Sequence, residues 1–379
     1  MLDRRKLLVV AAALAGYSAV ARAAAPYEWQ RTSAEEAGFV SGFGERLDQF
    51  VLTGQAANIH AVIIMRRGRV VFENYFEGDD QVRDQYGRAH LERVAFSAER
   101  SHELRSVSKS IVGLLYGVAL QEGKVPPLDA PLLAQFPDYT DLPVMEQRRC
   151  WTVRHAITMT LGIEWNEDLS YDDPRNGQTV MDRAADPYRY VLGQPIVAAA
   201  GERWIYCGGA TALIGKILEN GTKQPLHDYA RTVLFDPLGL GPMQWRFGLN
   251  GERNFASGIG MRPRDLARIG QMLLDMGKAG ERQIVPGDWL EESFKPQVTI
   301  RDRREYGCYW YLGEMVFNSA DGPRAERWIA AFGNGGQRLY LFPRLDLLIV
   351  ITAGNYNKRD QGRPPNRVLT EIILPSLHY

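Results

Sequence analysis

Histidine and cysteine are scarce in this chain of 379 residues, which contains six histidines and three cysteines. The histidines are scattered, and none stands in a paired spacing, such as His-Glu-x-x-His, that places two metal ligands on one helix. We therefore expect no metal ion and no other cofactor. The chain also has no glycine-rich phosphate loop and no Gly-x-Ser-x-Gly elbow, which argues against nucleotide binding and against the α/β-hydrolase fold.

Net charge is absent as well. Lys and Arg together number 45, as do Asp and Glu, so the formal net charge is zero. Proteins that bind nucleic acid usually carry a basic excess, and we expect no nucleic-acid partner here. The length and the 45% hydrophobic content allow one large domain or two moderate ones, with enough apolar side chains for a core.

The three cysteines are Cys150, Cys207 and Cys308. An odd number permits at most one disulfide within the chain, and the sequence does not choose the pair. A chain of this size does not need a disulfide for stability, so we expect all three cysteines to be buried free thiols.

The amino terminus has the pattern of an export signal. Arg4 and Arg5 begin a basic segment, and residues 7–20 form an apolar run that is short for a membrane span. Residues 21–23 read Ala-Arg-Ala, which is a cleavage site. The sequence thus predicts a signal peptide over residues 1–23, export to the periplasm and no stable membrane insertion after cleavage. Sec and twin-arginine export both remain open, and the alternative is an uncleaved anchor.

One stretch carries the strongest catalytic signal. Residues 104–110 read Leu-Arg-Ser-Val-Ser-Lys-Ser, and the apolar run 111–118 that follows has helical spacing. Ser106 then lies in the first turn, and Lys109 lies one turn further on the same face. A nucleophile, a base and unpaired backbone N–H groups could therefore share one turn of helix. The Ser-x-x-Lys motif alone is weak, because it occurs by chance roughly once in such a length.

Strand patterns stand at both ends of the chain. Residues 61–65 and 70–76 predict one hairpin, and residues 338–342 and 347–352 predict another. Residues 123 to about 245 have helix patterns that are interrupted by Pro and Gly residues. We therefore predict an α+β fold, in which an antiparallel sheet from both chain ends is flanked by helices and a mainly helical subdomain is inserted.

The expected domain layout follows from this pattern. One hydrolase domain spans residues 24–379, with its sheet part at about 24–105 and 250–379 and its helical part at about 106–249. The polar stretch 77–101 is expected to form a long loop that leads to the central helix.

Two further stretches accompany the Ser-x-x-Lys motif. Residues 201–209 place Tyr206 at a junction between a loop and a helix. The second stretch, Asn334-Gly335-Gly336-Gln337, stands at the start of a strand, where paired glycines permit a ligand to approach the backbone.

In order and spacing, the three stretches resemble the serine β-lactamases and penicillin-binding-protein-like hydrolases. The match is best with the class C-like branch, which includes esterases, D-amino-acid peptidases and 6-aminohexanoate-oligomer hydrolases. The resemblance runs from about the first hairpin to the last helix. It implies the fold of that family and hydrolysis through an acyl-enzyme.

The resemblance also implies roles for single residues. Ser106 would be the nucleophile and Lys109 its base. Tyr206 would relay a proton between Ser106 and the leaving group; its alternative is a core tyrosine. The oxyanion hole would consist of the backbone N–H groups of Ser106 and Gln337.

Two positions depart from the family pattern. Gly208 stands where many members have Asn or Ser after Tyr-x, and Asn334 replaces a cationic Lys or His. Asn334, Gly335 and Gly336 match the substrate-binding element. Tyr171 lies in a loop that resembles a segment near the pocket of the 6-aminohexanoate-oligomer hydrolases. It is a candidate substrate contact; the alternative is that it is an aromatic residue of the loop with no role in binding.

These departures argue against a dedicated β-lactamase or carboxypeptidase. We expect an exported serine hydrolase that cleaves a small ester or amide through an acyl-Ser106 intermediate. The alternative is a catalytically weak, penicillin-binding-like protein that captures a ligand without turnover. The oligomeric state does not follow from the sequence.

Overall fold

The structure, a computed structural model, describes residues 28–83, 89–142, 146–171, 173–248, 251–300 and 303–378. The expected signal peptide therefore lies outside the described residues. Among these residues, no helix has the length and apolar character needed to cross a membrane.

The strands of the described residues, in chain order, are β1 (Ile59–Arg66), β2 (Arg69–Tyr75), β3 (Glu77–Arg83), β4 (Ala89–Ala95), β5 (His102–Glu103), β6 (Gln244–Trp245), β7 (Ile259–Met261), β8 (Lys278–Ala279), β9 (Arg282–Gln283), β10 (Val298–Thr299), β11 (Glu305–Tyr306), β12 (Tyr311–Ser319), β13 (Gly322–Gly333), β14 (Gln337–Phe342) and β15 (Leu347–Ala353).

The α-helices of the same residues are α1 (Phe43–Leu52), α2 (Val107–Gln121), α3 (Val153–Ile157), α4 (Gly177–Met181), α5 (Pro187–Leu192), α6 (Gly208–Thr222), α7 (Leu226–Ala230), α8 (Pro263–Leu274), α9 (Gly287–Ser293) and α10 (Arg363–Arg367). Shorter 3-10 turns span Leu133–Gln135, Pro137–Tyr139, Glu146–Arg148, Pro343–Leu345 and Leu374–Ser376, and π-helical turns span Arg231–Phe235 and Val368–Ile373.

The main sheet joins the two ends of the chain. In the part of the chain that the structure describes, it has eight strands in the order β10-β11-β12-β13-β14-β15-β1-β2. Strand β1 pairs antiparallel with β15, so that Ile63 faces Val350 and Ile64 faces Ile349. The predicted α+β fold, with a sheet built from both chain ends, is confirmed.

Both predicted hairpins are present. Strands β1 and β2 are joined at Arg67 and Gly68, which have φ values of 52° and 72°. Two consecutive residues with positive φ make a tight turn whose twist matches that of the strands. Strands β14 and β15 are joined by the 3-10 turn and by Asp346, whose φ is 44°.

Each face of the sheet covers a separate apolar core. Side chains alternate along β1, with Ile63 and Met65 in one core and Val62 and Ile64 in the other. The first core includes helices α2, α6 and α8, whereas the second includes α1 and the carboxyl-terminal helical segment. All eight residues of β1 are buried, because the strand lies between two layers of helices.

The stretch 77–101 differs from the expectation. Its polar sequence predicts a long loop, but β3 and β4 pair as an antiparallel ribbon. The sequence is polar because much of this ribbon faces solvent, and its anchors are specific contacts. The Asn58 amide donates to Asp79 O at 2.8 Å and accepts from Asp79 N at 2.7 Å, and Arg93 Nε contacts Glu77 Oε1 at 2.7 Å across the strands.

Helix α2 is the buried centre of the molecule. All its residues from Val107 to Ala119 are buried. Other side chains pack directly against its glycines. A Cβ added at Gly117 would lie 2.1 Å from the Trp289 ring, and one at Gly113 would lie 3.3 Å from the Tyr309 ring. A helix so enclosed fixes the position of the residue at its amino end, which is Ser106.

Candidate active site

Ser106 and Lys109 are in contact. Ser106 immediately precedes α2, and Lys109 Nζ lies 3.0 Å from Ser106 Oγ. Nζ also donates to Ala256 O at 3.0 Å. Lys109 is only 2% exposed, whereas Ser106 borders a cavity. The amine is therefore held against the hydroxyl on the side away from solvent.

A strained residue sets the direction of Ser106. Arg105 has a φ of 50°, a left-handed conformation that costs a side-chain-bearing residue about 1 kcal/mol or more. Its guanidinium is held by Gln81 Oε1 at 2.6 Å and Glu103 Oε2 at 3.2 Å, and it stacks 4.6 Å from the Tyr356 ring centre. These contacts, with a hydrogen bond from Val107 N to Leu104 O at 3.2 Å, maintain the turn.

The surroundings of Lys109 favour its neutral form. Burial is the largest influence and lowers the pKa of the amine below its ordinary value. The negative charges of Glu167 and Asp182 act in the opposite direction. A neutral amine next to a hydroxyl can accept the hydroxyl proton.

Tyr206 completes the group. Lys109 Nζ lies over the Tyr206 ring, 4.8 Å from its centre. Burial raises the pKa of the phenol, and Glu167 raises it further, whereas its interaction with the Ser106 hydroxyl lowers it. The phenol therefore carries its proton at neutral pH and can deliver it. The structure brings Ser106, Lys109 and Tyr206 together at one point.

Glu167 is a site residue that the sequence did not reveal. Its Oε1 accepts hydrogen bonds from Gly208 N and from Trp165 Nε1, the latter at 2.6 Å, and its Oε2 accepts from Tyr171 OH at 3.1 Å. Its charge acts on both Lys109 and Tyr206. No spacing marks such a residue, since its loop and α6 meet only in the fold.

Gln178 occupies the place that Gly208 leaves free. A Cβ added at Gly208 would lie 1.8 Å from Gln178 Oε1 and 2.9 Å from Glu167 Oε1. Gln178 Nε2 donates to Asp182 Oδ1 at 2.7 Å, while Oε1 is buried without a hydrogen-bond partner among the described residues. An amide is thus present beside residue 208, although another part of the chain supplies it.

A cavity of about 610 Å³ opens at Ser106. Its lining includes side chains of both charges and several neutral polar groups: Glu103, Arg105, Tyr171, Gln178, Asp182 and Asn334. Burial, reinforced by Glu167, raises the pKa of Asp182 to about 6. The cavity therefore offers a mixed polar surface to a small substrate.

The residues from Asn334 to Gln337 serve partly as structure. Gly335 and Gly336 have φ values of 92° and 103°, and a Cβ at Gly335 would lie 2.5 Å from the Tyr356 ring. Asn334 lines the cavity, but neither glycine does. Their assignment as substrate contacts stays a prediction, and the reason for glycine at these positions is the backbone conformation.

Gln337 is fully buried, and its side chain on β14 forms hydrogen bonds with the backbone of β15. Its Nε2 donates to Ala353 O at 2.6 Å, and its Oε1 accepts from Ala353 N at 3.1 Å. A Cβ added at Gly333 would lie 2.3 Å from Leu104 O and 2.9 Å from Gln337 Cβ. Residue 337 is therefore a neighbour of the turn before Ser106, and its oxyanion role stays a prediction.

The cysteines differ in part from the expectation. All three are free, and Cys207 and Cys308 are buried as expected, but Cys150 is exposed. Burial raises the pKa of the Cys207 thiol, and its sulfur accepts a hydrogen bond from Ala210 N at the start of α6. Cys207 is thus a helix cap, and no observation supports a nucleophilic thiol there.

Known proteins match this chain in sequence and in fold. A family model described as Beta-lactamase matches residues 47–371. The 6-aminohexanoate-dimer hydrolase of Paenarthrobacter ureafaciens is 28% identical over 295 residues, covering 69% of this chain and 68% of that protein.

Two solved structures are similar at low sequence identity. The class C β-lactamase of Rhodobacter sphaeroides has a TM-score of 0.62 at 16% identity, covering 88% of this chain and 99% of its own. EstCE1, a hydrolase with promiscuous acyltransferase activity, has a TM-score of 0.65 at 16% identity, covering 88% and 98%. The fold of this chain is therefore that of the β-lactamase and transpeptidase group.

Proposed function

Because this chain belongs to the β-lactamase family and is a hydrolase, we propose that it cleaves a small ester or amide through an acyl-Ser106 intermediate. The observation that carries the proposal is the 3.0 Å contact between Lys109 Nζ and Ser106 Oγ beside an open cavity. A buried amine in contact with an accessible hydroxyl is the arrangement that nucleophilic catalysis requires.

The first half of the reaction forms the acyl-enzyme. Ser106 Oγ attacks the substrate carbonyl carbon while Lys109 Nζ accepts the hydroxyl proton. The bond from that carbon to the leaving group then breaks, and Tyr206 donates a proton to the departing oxygen or nitrogen and regains one from Lys109. The N–H groups of Ser106 and Gln337 would bind the carbonyl oxygen while it carries negative charge.

In the second half, water attacks the ester carbonyl and gives up its proton to the same basic groups. The carbon–Oγ bond breaks, Ser106 recovers its proton, and an acid leaves. The mixed charges of the cavity suit a substrate with polar ends. The match to a 6-aminohexanoate-dimer hydrolase makes linear amides of amino acids the first class to examine.

A substrate panel tests this proposal. Nitrophenyl esters, 6-aminohexanoate dimer, D-amino-acid peptides and a β-lactam are incubated with the purified protein, and products and intact protein mass are measured. We expect multiple turnover on at least one ester or amide, and an acyl adduct that Ser106→Ala lacks although it folds. Binding without turnover across the panel would instead support a ligand-capture protein and contradict this proposal.

We also propose that residues 1–23 direct export to the periplasm, by the Sec or the twin-arginine route. The support is the basic segment, the short apolar run and the Ala-Arg-Ala site of the sequence. Cell fractionation, with the mass of the exported chain, tests it. We expect a mature chain that starts at Ala24; a cytoplasmic chain of full length would contradict it.

A further inference from the structure

A cluster of two histidines and an aspartate lies outside the catalytic group. His60 on β1, His102 on β5 and Asp80 on β3 each offer a ligand atom, and the three atoms lie within 4.8 Å of one another. The two histidines are 42 positions apart in the sequence, so no spacing motif indicates that they are in contact. Both rings are buried, at 0% and 1% exposure, and Phe96 stacks on His60 with 3.9 Å between ring centres.

The hydrogen bonds of the outer ring nitrogens assign the tautomers. His102 Nδ1 lies 3.0 Å from Glu103 O, which can only accept, so this nitrogen carries the proton. His60 Nε2 lies 3.3 Å from Asn58 Oδ1. That amide cannot be flipped, because its nitrogen donates to Asp79 O and its oxygen accepts from Asp79 N. His60 Nε2 is therefore a donor too.

The inner nitrogens consequently face each other without a proton. His60 Nδ1 and His102 Nε2 are 2.8 Å apart, and in two neutral rings both point a lone pair into the same space. A shared proton or a metal ion between the two nitrogens would relieve the repulsion of these lone pairs. A shared proton would place a positive charge between two buried rings, whose exposures are 0% and 1%, and an unpaired buried charge is costly.

We propose that His60 Nδ1, His102 Nε2 and the Asp80 carboxylate bind a divalent transition-metal ion of the zinc class. Two imidazoles and a carboxylate are a zinc ligand set, and partners on the outer ring nitrogens are usual for metal-binding histidines. At Zn–N distances of about 2.1 Å, tetrahedral geometry separates two nitrogens by about 3.4 Å. The rings would thus move apart by about 0.6 Å.

The site would hold the β3–β4 ribbon against the main sheet. Asp80 accepts hydrogen bonds from Tyr356 OH at 3.1 Å and from Gln81 N at 2.9 Å. The next residue, Gln81, lines the cavity and accepts from the Arg105 guanidinium. A metal ion on Asp80 would therefore fix one wall of the cavity without contacting a substrate, and the proposal stands whether or not the protein hydrolyses esters.

Metal titration of the purified, chelator-treated protein tests the site. Zn²⁺ is titrated against a chromophoric chelator, Co²⁺ is followed by its visible absorption, and Tm is measured with and without Zn²⁺. We expect one equivalent of metal per chain and a higher Tm. His60→Gln and His102→Gln should abolish binding, and Asp80→Asn should weaken it at least tenfold.

Asp79→Asn is the matched control. It removes the neighbouring carboxylate on the same strand, which instead lies 3.5 Å from Arg93, and should bind like the wild type. If the histidine variants do not fold, the comparison of Asp80→Asn with Asp79→Asn decides alone. The proposal is overturned if the wild type binds no metal, or if Asp80→Asn binds as tightly as Asp79→Asn.

Discussion

The amide oxygen of Gln178 lies in the space that a side chain at residue 208 would occupy, 1.8 Å from the Cβ that Gly208 lacks. The two positions are therefore one unit: glycine at 208 and glutamine at 178 fit together. The resemblance predicts an Asn or Ser side chain at residue 208, beside Tyr206, and in this chain α4 brings an amide to that place instead.

Substitution at Gly208 should displace Gln178. We expect Gly208→Ser to lower kcat/KM at least tenfold and to cost about 1–3 kcal/mol of stability, because the added atoms overlap the amide. The double variant Gly208→Ser/Gln178→Ala should recover much of both losses. Kinetics and thermal unfolding of the four proteins form a double-mutant cycle, and additive effects would contradict the shared space.

The charge of Glu167 should set the pH at which the enzyme becomes active. In the proposed mechanism Lys109 must be neutral, so kcat/KM should rise with pH through the lowered pKa of this amine. Glu167 raises that pKa, so Glu167→Gln should move the rising limb to lower pH. Its amide oxygen can still accept from Gly208 N. Glu164 is exposed, and Glu164→Gln is the control. If the rise of kcat/KM with pH does not move in Glu167→Gln, the proposed effect of Glu167 on Lys109 is contradicted.

Tyr206 should matter most when the leaving group needs a proton. We expect Tyr206→Phe to lower kcat on an alkyl ester or amide by about 10²–10⁴-fold. A nitrophenyl ester should suffer far less, because nitrophenolate leaves without protonation. Equal losses on both substrates would indicate that the phenol only positions Ser106. The comparison needs only steady-state kinetics on matched acyl groups.

Lys109 should be indispensable for acylation. Lys109→Met retains the apolar stem but removes the base, and we expect turnover to fall by about 10³-fold or more. Stopped-flow acylation with a nitrophenyl ester separates this loss from deacylation. An acylation rate near that of the wild type would mean that another group accepts the Ser106 proton.

Asp182 should make stability depend on pH. Its pKa in the folded protein is raised to about 6, above the ordinary 3.8, so the folded state prefers the protonated form. This contribution to stability is fully present below about pH 4 and is lost as the pH rises to about 6. At pH 8, Asp182→Asn should therefore have a free energy of unfolding higher than that of the wild type by on the order of 1–3 kcal/mol, and a higher Tm; at pH 4 neither should differ.

Local sequence signals predicted the fold and the contact between Ser106 and Lys109. The nearly continuous apolar runs of β1, β14 and β15 follow directly from burial on two faces, and Ser106 and Lys109 are only three positions apart. Such features depend on neighbours in the chain. The β3–β4 ribbon was missed because its support comes from Asn58 side-chain contacts rather than from its own apolar residues.

The missed site residues depend on contacts between distant segments. Glu167 acts through Gly208, and Gln178 fills a space whose existence requires the position of α6. The prediction that the chain binds no metal ion is based only on the spacing of histidines along the sequence. His60 and His102 meet because β5 passes close to β1, which no local pattern indicates.

The pairing of β1 with β15 also bears on how the protein is made. Ile59 cannot find its partner Ala353 until almost the whole polypeptide has left the ribosome. Strand β1 can pair with β2 at once, but its other edge must wait for β15 through most of synthesis. The sheet is therefore completed late, and its formation depends on contacts between residues that are far apart in the sequence.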